Sequence, residues 1–404
     1  MIRPIVIVIG CIAFIWPVGA LAALSLPSPS APATIGSISL HLVDGARWDP
    51  FAPTRTHRSL MVTLWYPAEK TASAGAAYLD PGAARVVDTE LAVTPGTFES
   101  IRSHARYGAT PAVPRGRGYP VVIYSPGFGS FRNAGTALTE ELVSRGFVVV
   151  TIDHPYDGLA VEFPNGEIAT AKPLVVPGNT KTLTYDAWYA MVKPLLAVRV
   201  ADVRFVLDEL AALDAGRNPD AQRRALPSFA GALDLNRIGM FGHSLGGTTT
   251  VRVMQVDARI RAGMSLDGPI PEAEGAACIK RPFMLVRSVD PAIERLTVPS
   301  WKSASRTLCG RHSMVVLSRS GHNDFTDLTV FARQLAIDQQ QRATWLLGSI
   351  DADEAVHAER TYVTTYFERY ILRSLISVSM AARKRRSSSI TASSRSVPRA
   401  SYVK

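Results

Sequence analysis

Residues 237–247 read RIGMFGHSLGG, and few folds accommodate that order of events. A short apolar run ends in Gly-x-Ser-x-Gly, and a helix-compatible stretch follows at once, which places Ser244 on a sharp strand-to-helix turn. The backbone at such a serine is strained, and glycines on either side let the helix and a neighbouring strand close around it. The hydroxyl is thereby pushed outward at a helix N-terminus. The pentapeptide arises by chance fairly often; the strand before it and the helix after it are what constrain the chain.

The remaining pattern suits that turn. Residues 120–124 (PVVIY) and 147–152 (FVVVTI) are apolar runs of the kind that form strands buried on both faces. Between them lies a helix over 134–144, closed by Gly146. Further strands are expected over 261–266, 282–287 and 313–317, with an earlier one over 59–66. Alternation of this kind predicts an α/β chain with a mostly parallel central sheet and helices on both faces. Residues 25–34 read as a mature N-terminus ahead of folded structure. The stretch from Pro67 to Gly118 reads as loop-rich, and 160–184 as an irregular excursion near a site mouth. Asp186 is the expected cap of a long helix to about Leu213, which Pro194 should kink or split. An amphipathic stretch over 360–375 predicts a final covering helix.

Composition matters mainly for what it excludes. The 404 residues are 47% hydrophobic and 19% charged, enough for a large core. Of the net charge of +10, seven charges lie between Arg383 and Lys404 without a single acid, leaving +3 for everything else. Nucleic acid is therefore not the expected partner. The division expected is a signal peptide over 1–23, a catalytic body over 24–382, and a flexible Ser/Arg-rich tail over 383–404. Arg3, the apolar run over 5–16 and Ala20-Leu21-Ala22 carry the export reading, with a secreted or periplasmic product. Pro4 and Pro17 shorten the apolar helix below a membrane span. The lipobox-like residues 8–11, ending at Cys11, come too early to follow a full apolar region. Cys278 and Cys309 then remain as a candidate disulfide in an oxidising compartment.

A serine hydroxyl needs a base within hydrogen-bond reach. Three histidines follow Ser244: His312, His322 and His357. His322 lies in the loop after the 313–317 strand, where the base of an α/β-hydrolase fold belongs, whereas His312 precedes that strand and His357 heads the last helix. His243 adjoins Ser244 and should point away. Two acids fit the order Ser, acid, His: Asp267, after the 261–266 strand, and Asp290, after the 282–287 strand. Position alone favours Asp290. An oxyanion needs backbone N–H donors, expected from Leu245 and from Phe128 in the glycine turn 127–129. Asp153-His154-Pro155 reads as a structural loop. No H-E-x-x-H or Cys/His spacing calls for a metal, and no glycine loop for a phosphate cofactor.

With those residues in place, the sequence resembles the plasma-type (isoform II) platelet-activating factor acetylhydrolase family. The resemblance runs from about Ser59 to Phe331. It rests on LWYPA (64–68), SPGFGSFRN (125–133), RVADVRFVLDEL (199–210), GHSLGG (242–247), SLDG (265–268) and SGHNDFTD (320–327). It implies Ser244 as nucleophile, Asp267 as acid, His322 as base, and Phe128 and Leu245 as oxyanion donors. It also implies a calcium-independent serine esterase acting on phospholipids with short or oxidised acyl chains, with transient contact to a lipid surface. Pro126 departs from the family, which commonly has histidine there, and the tail has no counterpart. Both leave open a broad-specificity or polyester-degrading esterase. A hydrolase fold retained only for binding is the reading of another class, and the intact nucleophile, base and oxyanion loops speak against it.

Overall fold

Strand residues alternate between two cores, and that alternation is the basis of the architecture. In the computed structural model, residues 23–114, 116–171, 183–271 and 277–372 are described. The leader with its lipobox-like segment and the basic tail lie outside them. The chain runs β1 (Ile35–Trp48), β2 (His57–Pro67), β3 (Gly75–Ala77), α1 (Pro81–Glu90), β4 (Arg102–Tyr107), β5 (Tyr119–Ser125), α2 (Thr136–Ser144) and β6 (Val148–Ile152). Next come the hairpin β7 (Ala160–Glu162) and β8 (Ile168–Thr170), α3 (Tyr185–Asp214), β9 (Leu233–His243), α4 (Leu245–Val256), β10 (Ile260–Leu266) and β11 (Phe283–Arg287). The last part holds α5 (Pro291–Lys302), α6 (Ala304–Thr307), β12 (His312–Val316), α7 (Leu328–Gln334), α8 (Gln339–Thr344) and α9 (Ala352–Phe367).

Ten strands form one sheet in the order β12-β11-β10-β9-β5-β6-β2-β1-β4-β3. The six from β12 to β6 are parallel; β2 joins β6 and β1 antiparallel. Val121 and Ile123 of β5 face one core with α3 and α4, while Val122 and Tyr124 face the other with α2 and α9. Period-two side-chain geometry makes a fully apolar strand serve both faces at once. The expected α/β-hydrolase architecture is the one observed. Strand order reverses between β5 and β9, and ligands of open α/β sheets bind at the carboxyl edge of such a switch point.

Several local expectations are corrected. The stretch read as loop-rich holds β3, α1 and β4, and the irregular excursion holds the β7–β8 hairpin. β1 went unforeseen altogether. Thr184, not Asp186, caps α3, its side chain accepting from the Ala187 N–H. α3 runs through Pro194 unbroken, because Val192, Leu195 and Leu196 pack beside Leu245 on both sides of the proline. Leu24 and Leu26 are buried against Tyr78, Phe98 and Phe331, so folded contacts begin before residue 34. Cys278 and Cys309 form a disulfide spanning 31 residues, worth about 3–4 kcal/mol on chain-entropy grounds.

Candidate active site

Ser244 sits between β9 and α4 at φ 53° and ψ −122°, a conformation costly for any side chain but glycine. The surroundings over-determine it. Its N–H donates to the Leu266 carbonyl at 2.8 Å. A Cβ on Gly246 would lie 1.9 Å from the Ser125 carbonyl oxygen, and one on Gly242 would lie 2.2 Å from the Gly246 backbone. Strand β5, the nucleophile turn and the first turn of α4 are therefore in backbone contact, and glycine at both positions is a steric requirement.

The structure brings His322 and Asp267 together. Nδ1 of His322 donates to Oδ2 of Asp267 at 2.7 Å, which leaves Nε2 as the free acceptor. Both carboxylate oxygens are held in addition: the Ser288 N–H donates to Oδ1 and the Ser288 hydroxyl to Oδ2, each at 2.8 Å. Asp290, the acid favoured by position, does other work. Its side chain accepts from the Ala292 N–H and caps α5, and only the backbone N–H of His322 reaches it, at 3.4 Å. Asp324 pins the His322 loop by accepting from the Gly321 and Gly348 N–H groups, both at 2.7 Å, and from the Thr329 hydroxyl. His243 points away from the nucleophile, and its Nε2 donates to the His322 carbonyl at 2.9 Å. Burial, with His322 beside it, lowers the His243 pKa to about 3, so this ring is neutral.

Ser244, His243 and His322 line one cavity of about 380 Å³ together with Gly127, Phe128 and Leu245. Leu245 opens α4, where a helix N–H has no intrahelical acceptor. Among the described residues, Phe128 N–H donates to no backbone carbonyl. Two unpaired donors thus flank the nucleophile. The far wall is aromatic: Tyr78 meets Phe131 and Phe331 edge-on at 6.0 and 5.4 Å, and Phe98 meets Phe331 at 5.5 Å. Val87 and Glu90 of α1 and Trp188 and Val192 of α3 complete much of it. The region read as loop-rich therefore builds a large share of this wall.

Beneath the 126–129 turn lies a network that residue-by-residue reading missed. The Ser125 hydroxyl donates to Nε2 of His154 at 3.1 Å, and Nδ1 of His154 donates to Asp202 at 2.9 Å. Arg58 pairs with Asp202, and Arg199 pairs with Asp157, all four side chains being sealed from solvent. The available signal was Arg199 and Asp202, three residues apart on one helix face otherwise reading as apolar. Of the loop expected to be structural, Asp153 is buried against Arg132, and His154 is buried within this network.

A family model described as platelet-activating factor acetylhydrolase, isoform II, matches residues 51–371. The chain belongs to that family. A probable 1-alkyl-2-acetylglycerophosphocholine esterase of Arthroderma benhamiae is 25% identical over 375 residues, covering 85% of this chain and 87% of the relative. A platelet-activating factor acetylhydrolase of Cavia porcellus is 24% identical over 285 residues, covering 68% of this chain but only 62% of its own length. Among solved structures, a ferulic acid esterase from Streptomyces cinnamoneus superposes with a TM-score of 0.71 at 30% identity, across 95% of this chain and all of the other. This acetylhydrolase-family chain is an ester hydrolase of the α/β-hydrolase fold.

Proposed function

We propose that Ser244, His322 and Asp267 form the catalytic triad of a serine esterase that cleaves short or oxidised acyl esters of phospholipids. The observation that carries it is the 2.7 Å bond from His322 to Asp267, on the wall of the cavity onto which strained Ser244 opens. Nε2 of His322 takes the hydroxyl proton as Ser244 Oγ attacks the ester carbonyl. Asp267 holds the ring and stabilises the imidazolium. The N–H groups of Phe128 and Leu245 receive the oxyanion, and collapse expels the alcohol with the proton from His322. Water then repeats the sequence on the acyl-enzyme. A cavity of about 380 Å³ lies at the small end for ligand sites and favours a short acyl group. The leader supports export, and the lipid substrate implies transient contact with a lipid surface. No helix among the described residues is long and apolar enough to cross a membrane.

The test is turnover of p-nitrophenyl acetate against p-nitrophenyl octanoate by wild type and Ser244→Ala. Acetate should be preferred, and the variant should be inert. Undiminished hydrolysis by Ser244→Ala would sink the triad; a preference for octanoate would sink the short-acyl reading.

One observation favours a second substrate class. The rings of Tyr78, Phe98, Phe131 and Phe331 present an aromatic wall on which a planar aryl-acyl group could pack, as the ferulic acid esterase relative's name would fit. Faster cleavage of methyl ferulate than of methyl butanoate selects that reading; the reverse rejects it.

A further inference from the structure

The guanidinium of Arg199 is wholly buried, and each of its five N–H groups has a partner. Nε and one Nη2 hydrogen grip the two oxygens of Asp157 at 2.6 and 2.5 Å. Nη1 reaches the Pro126 carbonyl at 2.6 Å and Ser125 Oγ at 3.3 Å, and Nη2 reaches the Gly127 carbonyl at 3.1 Å. Two successive carbonyls of the glycine turn are thus drawn to one cation.

A trans peptide is planar, with its C=O and N–H pointing in opposite directions. The carbonyl of Gly127 and the N–H of Phe128 belong to the same peptide unit. Holding that oxygen on Arg199 therefore aims the Phe128 N–H away from the guanidinium. Gly127 itself lies against the nucleophile, since a Cβ there would be 3.3 Å from Ser244 Cβ. A turn rich in glycine has little rotational preference of its own. The Gly127 carbonyl also accepts from the Ser130 N–H, at a longer 3.3 Å. Without Arg199, that one bond would hold the peptide unit, which could flip and carry the donor out of the site.

We propose that Arg199 is a positioning residue which, braced by Asp157, orients the Phe128 N–H for the reacting carbonyl oxygen. Asp157 is the natural brace, because its own backbone carbonyl also accepts from the Gly129 N–H at 2.9 Å. Both ends of the turn are then fixed to one ion pair. The guanidinium charge is matched by Asp157, so it acts through geometry rather than through its field. The requirement is for a planar fork, and a lysine ammonium cannot reproduce two parallel bonds to a carboxylate plus two to carbonyls. This inference rests on the esterase reading and on Phe128 as oxyanion donor.

The experiment compares wild type, Arg199→Lys, the double variant Arg199→Met/Asp157→Leu and Ser244→Ala on p-nitrophenyl acetate. Inhibition by a trifluoromethyl ketone, whose adduct places an oxyanion in the same hole, is measured alongside. Arg199→Lys should lose about 10–10² in kcat, and the double variant about 10²–10³, the range for losing one oxyanion donor. KM should stay within about twofold, and ketone affinity should weaken in step with kcat. A merely structural role would instead raise KM or lower Tm, with the ratio of ketone to substrate affinity unchanged. That result, or kcat within about threefold of wild type in either folded variant, overturns the proposal. The double variant leaves no unpaired charge; if it does not fold, Arg199→Lys, which still meets Asp157, decides. Activity in wild type and its loss in Ser244→Ala confine any failure to Arg199. Inactive wild type, or active Ser244→Ala, instead overturns the esterase reading and this inference with it.

Discussion

Two Ser-His-Asp arrangements stand on neighbouring strands at the carboxyl edge of the sheet, Ser125 closing β5 and Ser244 following β9. In each, Nδ1 of the histidine donates to an aspartate, at 2.9 Å from His154 to Asp202 and 2.7 Å from His322 to Asp267. By connectivity alone Ser125 has the stronger case, because its hydroxyl already bonds His154 at 3.1 Å. Everything around the two differs. Ser125, His154 and Asp202 are 0–1% exposed, whereas Ser244 and His322 open onto the cavity. Burial lowers the His154 pKa, with Arg199 nearby, against the pull of Asp202. Asp202 is spent on Arg58: burial pushes its carboxyl up, but the Arg58 charge and the hydrogen bonds from His154 and Arg58 together hold it well below the usual carboxylate range. Among the described residues, the Asp267 side chain has Ser288 and His322 as its hydrogen-bond partners and no Arg or Lys. A triad therefore needs more than three side chains in a row. It needs an entrance, donors for the oxyanion, and an acid left unneutralised until the histidine charges.

The largest effect should separate the two serines. Ser244→Ala is expected to lower kcat by about 10⁴ or more, while Ser125→Ala stays within about tenfold of wild type and shows its loss mainly in Tm. Rates on p-nitrophenyl acetate with paired melting curves check this. Equal collapse at both serines would erase the distinction between sealed and open site. The acids come next. Asp267→Asn should cost about 10⁴ in kcat, because an amide no longer holds the required histidine tautomer. Asp290→Asn removes charge from a helix cap and should change kcat by less than about tenfold. The reverse order would move the acid to the position that strand counting favoured.

The same comparison shows what reading the chain can reach. Ser244 and His322 were legible because each is fixed by a local rule: glycine spacing after a strand, and a loop past the last one. Asp267 against Asp290 was not, since both end parallel strands and the choice depends on which loop lies beside His322. Asp290-Pro291 did carry a readable signal, a capping acid before a proline at the first helical position. The alternation Ile38, Leu40, Leu42 in β1 was equally readable, yet Ser39 and His41 and the preceding Pro/Ser run obscured it. β4, RSHARY, offers one buried alanine and no strand signal, being held by its neighbours rather than by its own propensity. Arg199 needed three dimensions, because its partners come from β5, the 126–127 turn and the loop after β6.

A smaller effect should appear when the sealed aspartate is changed. Asp202→Asn removes the carboxylate charge that faces buried Arg58 and leaves one amide oxygen where two oxygens accepted, with Asp49 and the Pro155 carbonyl as the other acceptors. Breaking such a pair from one side costs about 3–5 kcal/mol. The change should be read as a lower unfolding midpoint in urea, with KM near wild type and kcat reduced only as far as the 126–128 turn loosens. A kcat loss approaching that of Asp267→Asn, without destabilisation, would mean the sealed triad takes part in chemistry.

The smallest effect concerns protons and tests whether the sealed site and its neighbour are held neutral. His154 and His243 both have pKa values lowered in the folded state, His243 to about 3. Below the unfolded value of about 6.5 the unfolded chain binds protons that the folded chain does not. Folding stability contributed by these two rings is thus fully present above about pH 6.5 and is lost progressively as pH falls. For His243 the loss continues to about pH 3. Replacing His243 by glutamine removes one of the two titrations while leaving a side chain able to donate to the His322 carbonyl. Between pH 7 and pH 4.5 the wild-type Tm should fall further than that of His243→Gln, by on the order of a few degrees. Parallel curves would show that His243 protonates in the folded protein, and its reading as a neutral packing ring would be lost.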